Sequence, residues 1–302
     1  RRQRQMCIRD RMWPMQRTFV YLIRLLPLPL LHLIAWPFGW LLYFTRNKQR
    51  HIAEVNLQLC FPEWSDKKRN QMVRQSLVET GKTILESLKL WQSSEQKILG
   101  YIKNIEGREL LDDKKHGTIL IIPHLGNWEM VGLYCSSKMS MTSMYRQQKS
   151  AYLNKIMTEG RERLGAHLVP ATNKGVKYLL QALNNHELIA VLPDQNPSKG
   201  TNMFVPFFNI STNTPVLPVR LAQKTDATIV LAYAERLSWG RGYKLYFKAV
   251  SDELYSEDLA QATTSMNKEL ENLIREKPEQ YWWGYSRFRQ RPEGETKLYK
   301  KD

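Results

Sequence analysis

His124 is the residue whose position best suits acid–base chemistry. It directly follows a short apolar run, residues 117–123, and an acidic residue, Glu129, lies five positions later. If Asn127 caps a helix whose first turn holds Glu129, the chain folds back and the carboxylate approaches the imidazole. Glu129 would then fix the tautomer and stabilise the imidazolium. The other ring nitrogen would remain able to take a proton from a hydroxyl group.

The His-x4-acid spacing by itself is weak evidence for catalysis. The chain has six histidines, and roughly half a match to this pattern is expected by chance. His124 is the only histidine of the sequence that satisfies the pattern, and it does so after an apolar run. A histidine beside a helix N terminus is often structural, so both roles stay open on the residues alone.

Asp194 and Gln195 follow a second apolar run that ends like the first. Residues 188–192 are apolar, and Pro193 precedes the two polar residues. Open α/β sheets bind their ligands at the carboxyl ends of the strands. The second run therefore adds Asp194 to the candidate site, with a simple turn residue as the alternative interpretation.

The elements that must position these residues alternate between strand and helix patterns. Short apolar runs bounded by Gly or Pro are typical of strands buried on both faces. Strands are predicted at residues 117–123, 142–145, 188–192, 229–233 and 243–247, and helices at 65–88, 150–164, 173–185, 215–224 and 256–277. The alternation predicts an α/β fold with a largely parallel central sheet flanked by helices. Gly81-Lys82-Thr83 looks like the end of a phosphate-binding loop, but no strand precedes it, and it is interpreted as helix surface.

Composition limits the function classes. The chain has 302 residues, of which 42% are hydrophobic, so most of it can build a core. The net charge of +16 indicates an anionic partner: nucleic acid, an acidic protein or an anionic membrane surface. Three cysteines without paired spacing, Cys7, Cys60 and Cys135, argue against a disulfide framework and a structural zinc site.

The N terminus favours a membrane partner over nucleic acid. A basic arm, residues 1–17, leads into residues 25–45, which contain no charge and are long enough to span a bilayer. Pro27, Pro29 and Pro37 interrupt this segment, and basic residues flank it on both sides. A full span and a tilted or re-entrant anchor are equally compatible, and a buried core helix is a further alternative. Interface aromatic residues would be Trp13, Trp36, Trp40 and Tyr43.

A signal peptide is disfavoured because no small-residue cleavage site follows the apolar run. No zinc-finger spacing or RNA-recognition motif appears, which argues against nucleic-acid binding. We therefore predict an arm and membrane anchor over residues 1–50 and an α/β domain over residues 51–302.

Four segments resemble the motifs of the glycerolipid and lysophospholipid acyltransferase superfamily. His124-x4-Glu129 resembles the first motif. Arg146 falls where the second motif would lie, residues 193–195 where the third would, and residues 215–219 where the fourth would.

The whole chain is similar to the bacterial lipid A late acyltransferases. The likeness is carried by the basic, apolar N terminus, by residues 56–63, by Gly160-Arg161, by residues 206–208, and by a tail that includes residues 278–283, 287–288 and 291–292. The chain departs from the pattern at residues 284–286, which read Gly-Tyr-Ser, so the resemblance does not assign lauroyl or myristoyl transfer.

The resemblance implies transfer of a fatty acyl chain from acyl carrier protein to the 3-hydroxyl of a hydroxyacyl chain on a lipid A precursor. It implies a location at the cytoplasmic face of the inner membrane, where the anionic surface and acidic carrier protein both suit a basic chain. Such a reaction needs a base and oxyanion stabilisation, and no metal or cofactor is expected. No GxSxG motif is present, which favours direct transfer over an acyl-enzyme.

The same resemblance supplies the remaining site residues. Arg161 would bind a lipid A phosphate or organise the oxyanion region, and Asp194 would pair with Arg161 or shape the acceptor pocket. Arg146, Asn127 and Gln195 are the predicted substrate-binding residues. Two other functions stay open: acyl transfer to another membrane lipid, such as a lysophospholipid or a glycosylated phosphoinositide, and membrane binding without catalysis.

Overall fold

A seven-stranded sheet forms the centre of the computed structural model, which describes residues 16–45, 47–112, 115–148, 150–197 and 202–299. The strand order is β1-β9-β8-β2-β5-β3-β4, and every neighbouring pair is parallel except β8 and β9. The strands are β1 Ile102–Glu106, β2 Thr118–Ile121, β3 Met141–Tyr145, β4 Ala166–Pro170, β5 Leu188–Val191, β8 Thr228–Arg236 and β9 Tyr243–Ala249. A separate antiparallel hairpin consists of β6 Asn202–Phe207 and β7 Ile210–Pro215.

Helices cover both faces of the sheet. The first, α1, includes residues 16–25. The others are α2 Leu28–Phe44, α3 Lys48–Cys60, α4 Asp66–Leu90, α5 Glu95–Gly100, α6 Trp128–Lys138, α7 Ala151–Glu162, α8 Asn173–Asn184, α9 Leu217–Thr225 and α10 Leu259–Glu276. Short 3₁₀ helices occur at Arg108–Leu111, Ser238–Gly240, Asp252–Tyr255 and Pro278–Gln280.

The central strands are buried on both faces because each belongs to two cores. In β2, Ile119 and Ile121 lie in one hydrophobic cluster, whereas Leu120 and the following Ile122 lie in the cluster on the opposite side. All four residues of β2 and all four of β5 are buried. The unbroken apolar runs of the sequence therefore correspond to strands covered by helices on both sides.

The predicted α/β class and the largely parallel sheet are confirmed, and each of the five predicted strands and five predicted helices is present. The sequence patterns missed β1, β4, the β6–β7 hairpin, α3 and α5. The sheet order places β1 and β4 at the two edges, where part of each strand faces solvent. Edge strands mix polar and apolar residues, and this weakens the apolar signal.

The N-terminal helices pack against α4 through one narrow face. In α2 the buried residues are Leu28, Leu31, His32, Ala35 and Gly39. A Cβ atom at Gly39 would lie 2.5 Å from the Val78 side chain, so only glycine permits this approach. The opposite face exposes large apolar side chains: Phe19, Tyr21, Leu22, Leu25, Leu30, Leu33, Ile34, Trp36, Phe38, Leu41 and Phe44.

The uncharged run predicted as the anchor, residues 25–45, corresponds mainly to α2. Pro27 separates α1 from α2, because proline lacks the backbone donor that a continuing helix needs. Within the described part of the chain, no one helix has the length and apolarity to cross a bilayer, although α2 and α3, bent by 80°, meet both criteria as a pair. The apolar spanning segment is therefore not confirmed. Most of the predicted basic arm and Trp13 lie outside the described residues.

Candidate active site

His124 and Asp194 meet because their strands run side by side in register. Ile121 of β2 pairs with Val191 of β5, and each polar residue follows its strand partner by three positions. The Asp194 carboxylate accepts a hydrogen bond from the His124 backbone amide at 2.9 Å and lies 2.8 Å from the ring atom Nδ1. Asp194 is buried, whereas the His124 side chain is 13% exposed.

The second ring nitrogen of His124 lies against a neutral side chain. Its Nε2 lies 3.1 Å from the Gln195 amide nitrogen, which donates to it when Nδ1 carries the proton toward Asp194. Trp128 packs against the imidazole edge to face with ring centroids 4.7 Å apart, and Trp282 approaches to 5.5 Å. Nε2 is therefore the ring atom that can take a proton from a substrate hydroxyl group.

The predicted hydrogen bond between Glu129 and His124 is wrong. The Glu129 carboxylate accepts bonds from the Arg161 atoms Nε and Nη2 at 2.9 and 2.5 Å. It also accepts the indole N–H groups of Trp91 and Trp128 at 2.8 and 3.1 Å. Four N–H groups donate to its two oxygens, so the carboxylate has no acceptor position left for the imidazole. Of the two roles considered for Asp194, pairing with Arg161 is also wrong. Arg161 bonds Glu129, and Asp194 bonds His124 instead.

Trp128 joins the two pairs. Its ring packs on His124 while its N–H group bonds Glu129. The four predicted catalytic residues thus lie in one continuous cluster with a different pairing, His124 with Asp194 and Glu129 with Arg161.

Both carboxylates of this cluster are held ionised. Burial alone would raise the pKa of Asp194, but the His124 ring and backbone amide lower it below its ordinary value. Burial would likewise raise the pKa of Glu129, but the Arg161 guanidinium and the hydrogen bonds to it lower that pKa. Burial and the neighbouring Asp194 raise the pKa of Tyr281, so its hydroxyl stays protonated.

Gly160 lets Arg161 reach Glu129. A Cβ atom at Gly160 would lie 2.5 Å from both the Cβ and the carbonyl oxygen of Trp91. Helix α7 therefore packs directly on the turn that follows α4, and the next residue, Arg161, points at the carboxylate that Trp91 also binds. This close approach explains why Gly and Arg occur together at this position.

The loop between His124 and α6 is fixed by backbone contacts. Gly126 has φ +62°, a left-handed conformation that favours glycine, and a Cβ atom there would lie 1.9 Å from the Ala234 carbonyl oxygen. Its N–H donates to the Gln280 carbonyl, and the Asn127 N–H donates to the Ala234 carbonyl.

Asn127 occupies the predicted N-cap position of α6, but its side chain makes no capping bond. The amide instead donates to Glu86 at 2.9 Å, and the residue is fully buried. The prediction that Asn127 contacts substrate is therefore corrected, because its side chain lies beneath the loop. Gln195 remains placed for that role beside His124.

A buried charge network lies below the same loop and was missed by the sequence patterns. Arg236, at the end of β8, bonds both oxygens of Glu86 at 2.8 to 2.9 Å, and its Nη1 bonds Glu79 at 2.6 Å. Thr83 bonds the Gly126 carbonyl at 3.1 Å. Burial would raise the pKa of Glu86, but Arg236 and His32 lower it to about 2. The available signal was a polar stripe on α4 formed by Glu79, Thr83 and Glu86.

Arg146 lies exposed directly after β3, at the same edge of the sheet as the site. Its role as a substrate ligand stays a prediction. Burial raises the pKa of the Cys135 thiol to about 12 and that of Cys60 well above its ordinary value, so neither is an activated nucleophile. Over the described ranges, no three His, Cys, Asp or Glu side chains cluster as a metal site would require.

Comparison with known proteins gives a consistent result across the chain. A family model described as bacterial lipid A biosynthesis acyltransferase matches residues 10–290. The chain is 27% identical over 284 residues to the lipid A biosynthesis lauroyltransferase of Escherichia coli K12, covering 93% of this chain and 92% of that protein.

Two further relatives from the same organism are named for other acyl chains. The palmitoleoyltransferase is 26% identical over 91% of this chain and 90% of its own length. The myristoyltransferase is 26% identical over 84% of this chain and 80% of its own length. Three relatives named for different acyl chains are thus about equally similar to this protein, so sequence identity does not indicate which acyl chain it transfers.

Proposed function

Because the chain belongs to the bacterial lipid A biosynthesis acyltransferase family, we propose that it transfers a fatty acyl chain from acyl carrier protein to the 3-hydroxyl of a hydroxyacyl chain on a lipid A precursor. The family supports acyl transfer in lipid A biosynthesis, and the proposal adds the donor, the acceptor group and the residues. The observation that carries it is the geometry of His124, whose Nδ1 is bonded to a buried carboxylate while Nε2 lies against the neutral amide of Gln195 and the side chain is partly exposed.

In the proposed reaction, the acceptor hydroxyl replaces the Gln195 amide beside His124 Nε2. The imidazole takes the hydroxyl proton as the oxygen attacks the thioester carbonyl. The tetrahedral intermediate then collapses, the carbon–sulfur bond breaks, and the donor thiolate leaves with the proton that the imidazolium returns. Asp194 acts as a positioning residue, since it fixes the Nδ1–H tautomer and stabilises the imidazolium.

Arg161 has the second role in this proposal. Among the described residues its Nη1 makes no hydrogen bond, and its side chain is 23% exposed. Glu129 holds the guanidinium in place, and the remaining N–H groups are available to a phosphate or to the developing oxyanion.

We place the protein at the cytoplasmic face of the inner membrane, with residues 1–50 as arm and anchor and residues 51–302 as the acyltransferase domain. The exposed apolar face of α1 and α2 and the net charge of +16 support an anionic membrane surface as the partner. Leu33→Gln combined with Leu41→Gln should shift the full chain from the membrane pellet toward the soluble fraction. A wild-type chain found entirely in the soluble fraction would contradict this placement.

The test of the reaction uses the full chain, acyl carrier protein loaded with chains of several lengths, and a lipid A precursor with unacylated 3-hydroxyl groups. Mass spectrometry of the product gives the chain and the number added. His124→Ala should lose on the order of 10² to 10⁴ in transfer rate while remaining folded. His167→Ala is the matched control, because His167 is exposed on edge strand β4 and should leave the rate unchanged.

A double-mutant cycle separates the observed pairing from the pairing expected on sequence. Asp194→Asn in the His124→Ala background should add little further loss, because residues that act as a unit are non-additive. Glu129→Gln should combine with His124→Ala more nearly additively. The reverse pattern would favour Glu129 as the partner of His124.

The remaining functions are distinct outcomes of the same assay. Transfer to a lysophospholipid or a glycosylated phosphoinositide, without transfer to the lipid A precursor, would favour another membrane lipid as acceptor. Binding to anionic vesicles without transfer to any acceptor would favour a non-catalytic membrane protein. A His124→Ala rate within about threefold of wild type would remove the general-base role, which predicts a far larger loss.

A further inference from the structure

A cavity of about 330 Å³ lies between α1, the end of α4 and the start of α5, outside the site described above. Its volume is in the range of small-molecule sites. Three cationic side chains line it, those of Arg24, Lys89 and Lys97, and the other polar lining residues are a glutamine and two serines. Tyr21 and Leu25 complete the lining.

The cavity concentrates positive charge without a compensating carboxylate among its lining residues. Lys89 is buried, and among the residues that the structure describes its ammonium group donates only to the Arg24 backbone carbonyl, at 2.8 Å. Within the described segments, neither the Arg24 guanidinium nor the Lys97 ammonium has an ion-pair partner. The nearby acid Glu95 is directed at Lys138, 3.7 Å away.

The three cations destabilise one another. Burial first, and then the charges of Lys97 and Arg24, lower the pKa of Lys89 below its ordinary value. Like charges held together cost free energy that a bound anion would offset. A bound oxyanion with one or two negative charges would also accept charge-assisted hydrogen bonds from the side chains of Arg24, Lys89 and Lys97.

The rim of the cavity is apolar and exposed. Tyr21 and Leu25 are 56% and 60% exposed, and Leu22 on the same helix is 52% exposed. They continue into the apolar face of α1 and α2. One buried and two exposed cations beside exposed apolar side chains match an amphiphile with an anionic head and hydrocarbon chains.

We propose that this cavity binds the phosphate group of an anionic lipid, whose hydrocarbon chains lie along Tyr21, Leu22 and Leu25. The rim favours a lipid over free phosphate, because inorganic phosphate would make no use of the apolar side chains. The inference does not depend on the proposed acyl transfer, since it concerns a different cavity and is tested by binding.

The turn after α4 connects this cavity to the candidate active site. Ser93 lines the cavity, and its carbonyl accepts a bond from Arg163 at 2.6 Å. Trp91, two residues earlier, bonds Glu129. A lipid held at Lys89 and Lys97 would thus lie against the same turn that supports the Glu129–Arg161 pair.

Calorimetric titration of the purified full chain in a neutral detergent tests the proposal. The ligands are dihexanoyl phosphatidic acid, dihexanoyl phosphatidylcholine and inorganic phosphate. Wild type should bind the phosphatidic acid most tightly. Arg24→Gln combined with Lys97→Gln should weaken that binding by about ten- to a hundredfold, as the loss of charge-assisted contacts predicts. Both residues are exposed, so the fold should tolerate the changes.

The matched control is Lys174→Gln combined with Lys177→Gln, which removes the same charge from an exposed face of α8 and should leave binding unchanged. Equal weakening by the control would overturn the site, since net charge alone would then explain binding. Undiminished binding by the cavity variant would overturn it directly. Phosphatidylcholine bound as tightly as phosphatidic acid would refute the charge recognition, and inorganic phosphate bound as tightly would refute the lipid assignment.

Discussion

Two arginine–glutamate pairs in this molecule share a chemistry and differ in their surroundings. Arg236 and Glu86 are 2% and 0% exposed, and further bonds to Glu79 and Thr83 use the remaining guanidinium nitrogens. Arg161 and Glu129 are 23% and 5% exposed, and one guanidinium nitrogen makes no bond within the described residues. All three guanidinium nitrogens of the first pair are hydrogen-bonded, and that pair supports a loop. The second pair leaves one guanidinium nitrogen without a bond among the described residues, in a partly exposed side chain.

If Arg161 binds substrate as proposed, the same side chains serve structure in one place and substrate binding in another. A buried pair is costly to break because the remaining charge has no access to water. A pair at the edge of a site can lose one partner and be rehydrated. Removing the arginine should therefore lower mainly stability at the interior pair and mainly activity at the pair by the site.

The largest expected effect is on stability at the interior pair. Arg236→Met leaves the fully buried Glu86 without its arginine partner, whereas Glu79 keeps its salt bridge to Lys82. The free energy of unfolding should fall by about 3 to 5 kcal/mol. Denaturant unfolding of the full chain in detergent measures it. The control is Arg241→Met, since Arg241 is exposed and its side chain bonds only Ser238 over the described ranges. A loss below about 1 kcal/mol, typical of surface changes, would show that the network is not structural.

Acid should reveal the same pair, because Glu86 takes up a proton as the pH falls. The pKa of Glu86 is about 2 in the folded chain, against an ordinary value of 4.5. Its depressed pKa contributes stability that is fully present above pH 4.5 and is lost as the pH falls toward 2. The contribution is about 3 kcal/mol, since each pKa unit corresponds to about 1.4 kcal/mol.

Unfolding measured from pH 6 to pH 2 in wild type and in Glu86→Gln checks this expectation. The variant should be less stable at pH 6, and the gap between the two chains should narrow as the pH falls. A constant gap across this range would contradict the assignment.

The sequence predicted the site better where positions follow from local strand geometry than where they follow from helix packing. His124 and Asp194 each come three residues after paired strand ends, so an equal offset from two parallel strands was enough to bring them together. Their direct pairing was also readable from that offset, although the His-x4-Glu spacing directed attention to Glu129 instead.

The Glu129–Arg161 pair depends on how closely α7 approaches Trp91, and nothing in the local sequence fixes that distance. The Arg236–Glu86 bond joins residues 150 positions apart, beyond the reach of any periodicity. Gly81-Lys82-Thr83 was correctly predicted to be helical but wrongly assigned to the surface, because Gly81 packs against α2 and Thr83 bonds Arg236 in this buried network. The uncharged N-terminal run indicated an anchor but not its packing partner: the run forms mainly α2, which begins directly after Pro27 and packs along α4.

At the pair by the site, loss of the arginine should lower activity, and stability should fall less than at the interior pair because the Trp91 and Trp128 N–H groups still bond Glu129. Arg161→Ala should weaken use of the acceptor more than hydrolysis of the donor, since a lost charge-assisted contact is worth about 1.5 to 3 kcal/mol, or roughly ten- to a hundredfold. Rates of transfer and of donor hydrolysis, measured on the same preparation, give the split. Equal loss of both reactions would instead favour an oxyanion role, and wild-type rates would remove Arg161 from the site.

The smallest expected effects come from a glycine in each supporting helix, and they should have opposite signs. A Cβ atom at Gly160 of α7 would lie 2.5 Å from the Trp91 backbone oxygen, which cannot move without displacing the turn after α4. Gly160→Ala should therefore cost about 1 to 3 kcal/mol through overpacking, and the shift of Arg161 away from Glu129 should lower transfer activity as well.

At Gly81 of α4, beside the interior pair, the added Cβ would meet Ala35 at an ordinary 3.7 Å. Gly81→Ala should stabilise the chain by about 0.5 to 1 kcal/mol, because alanine loses less backbone entropy in a helix. Thermal unfolding and transfer rates of the two variants, measured side by side, test both expectations. A stable, fully active Gly160→Ala protein would mean that α7 can retreat without disturbing Arg161, and the close contact with Trp91 would then not be what positions that residue.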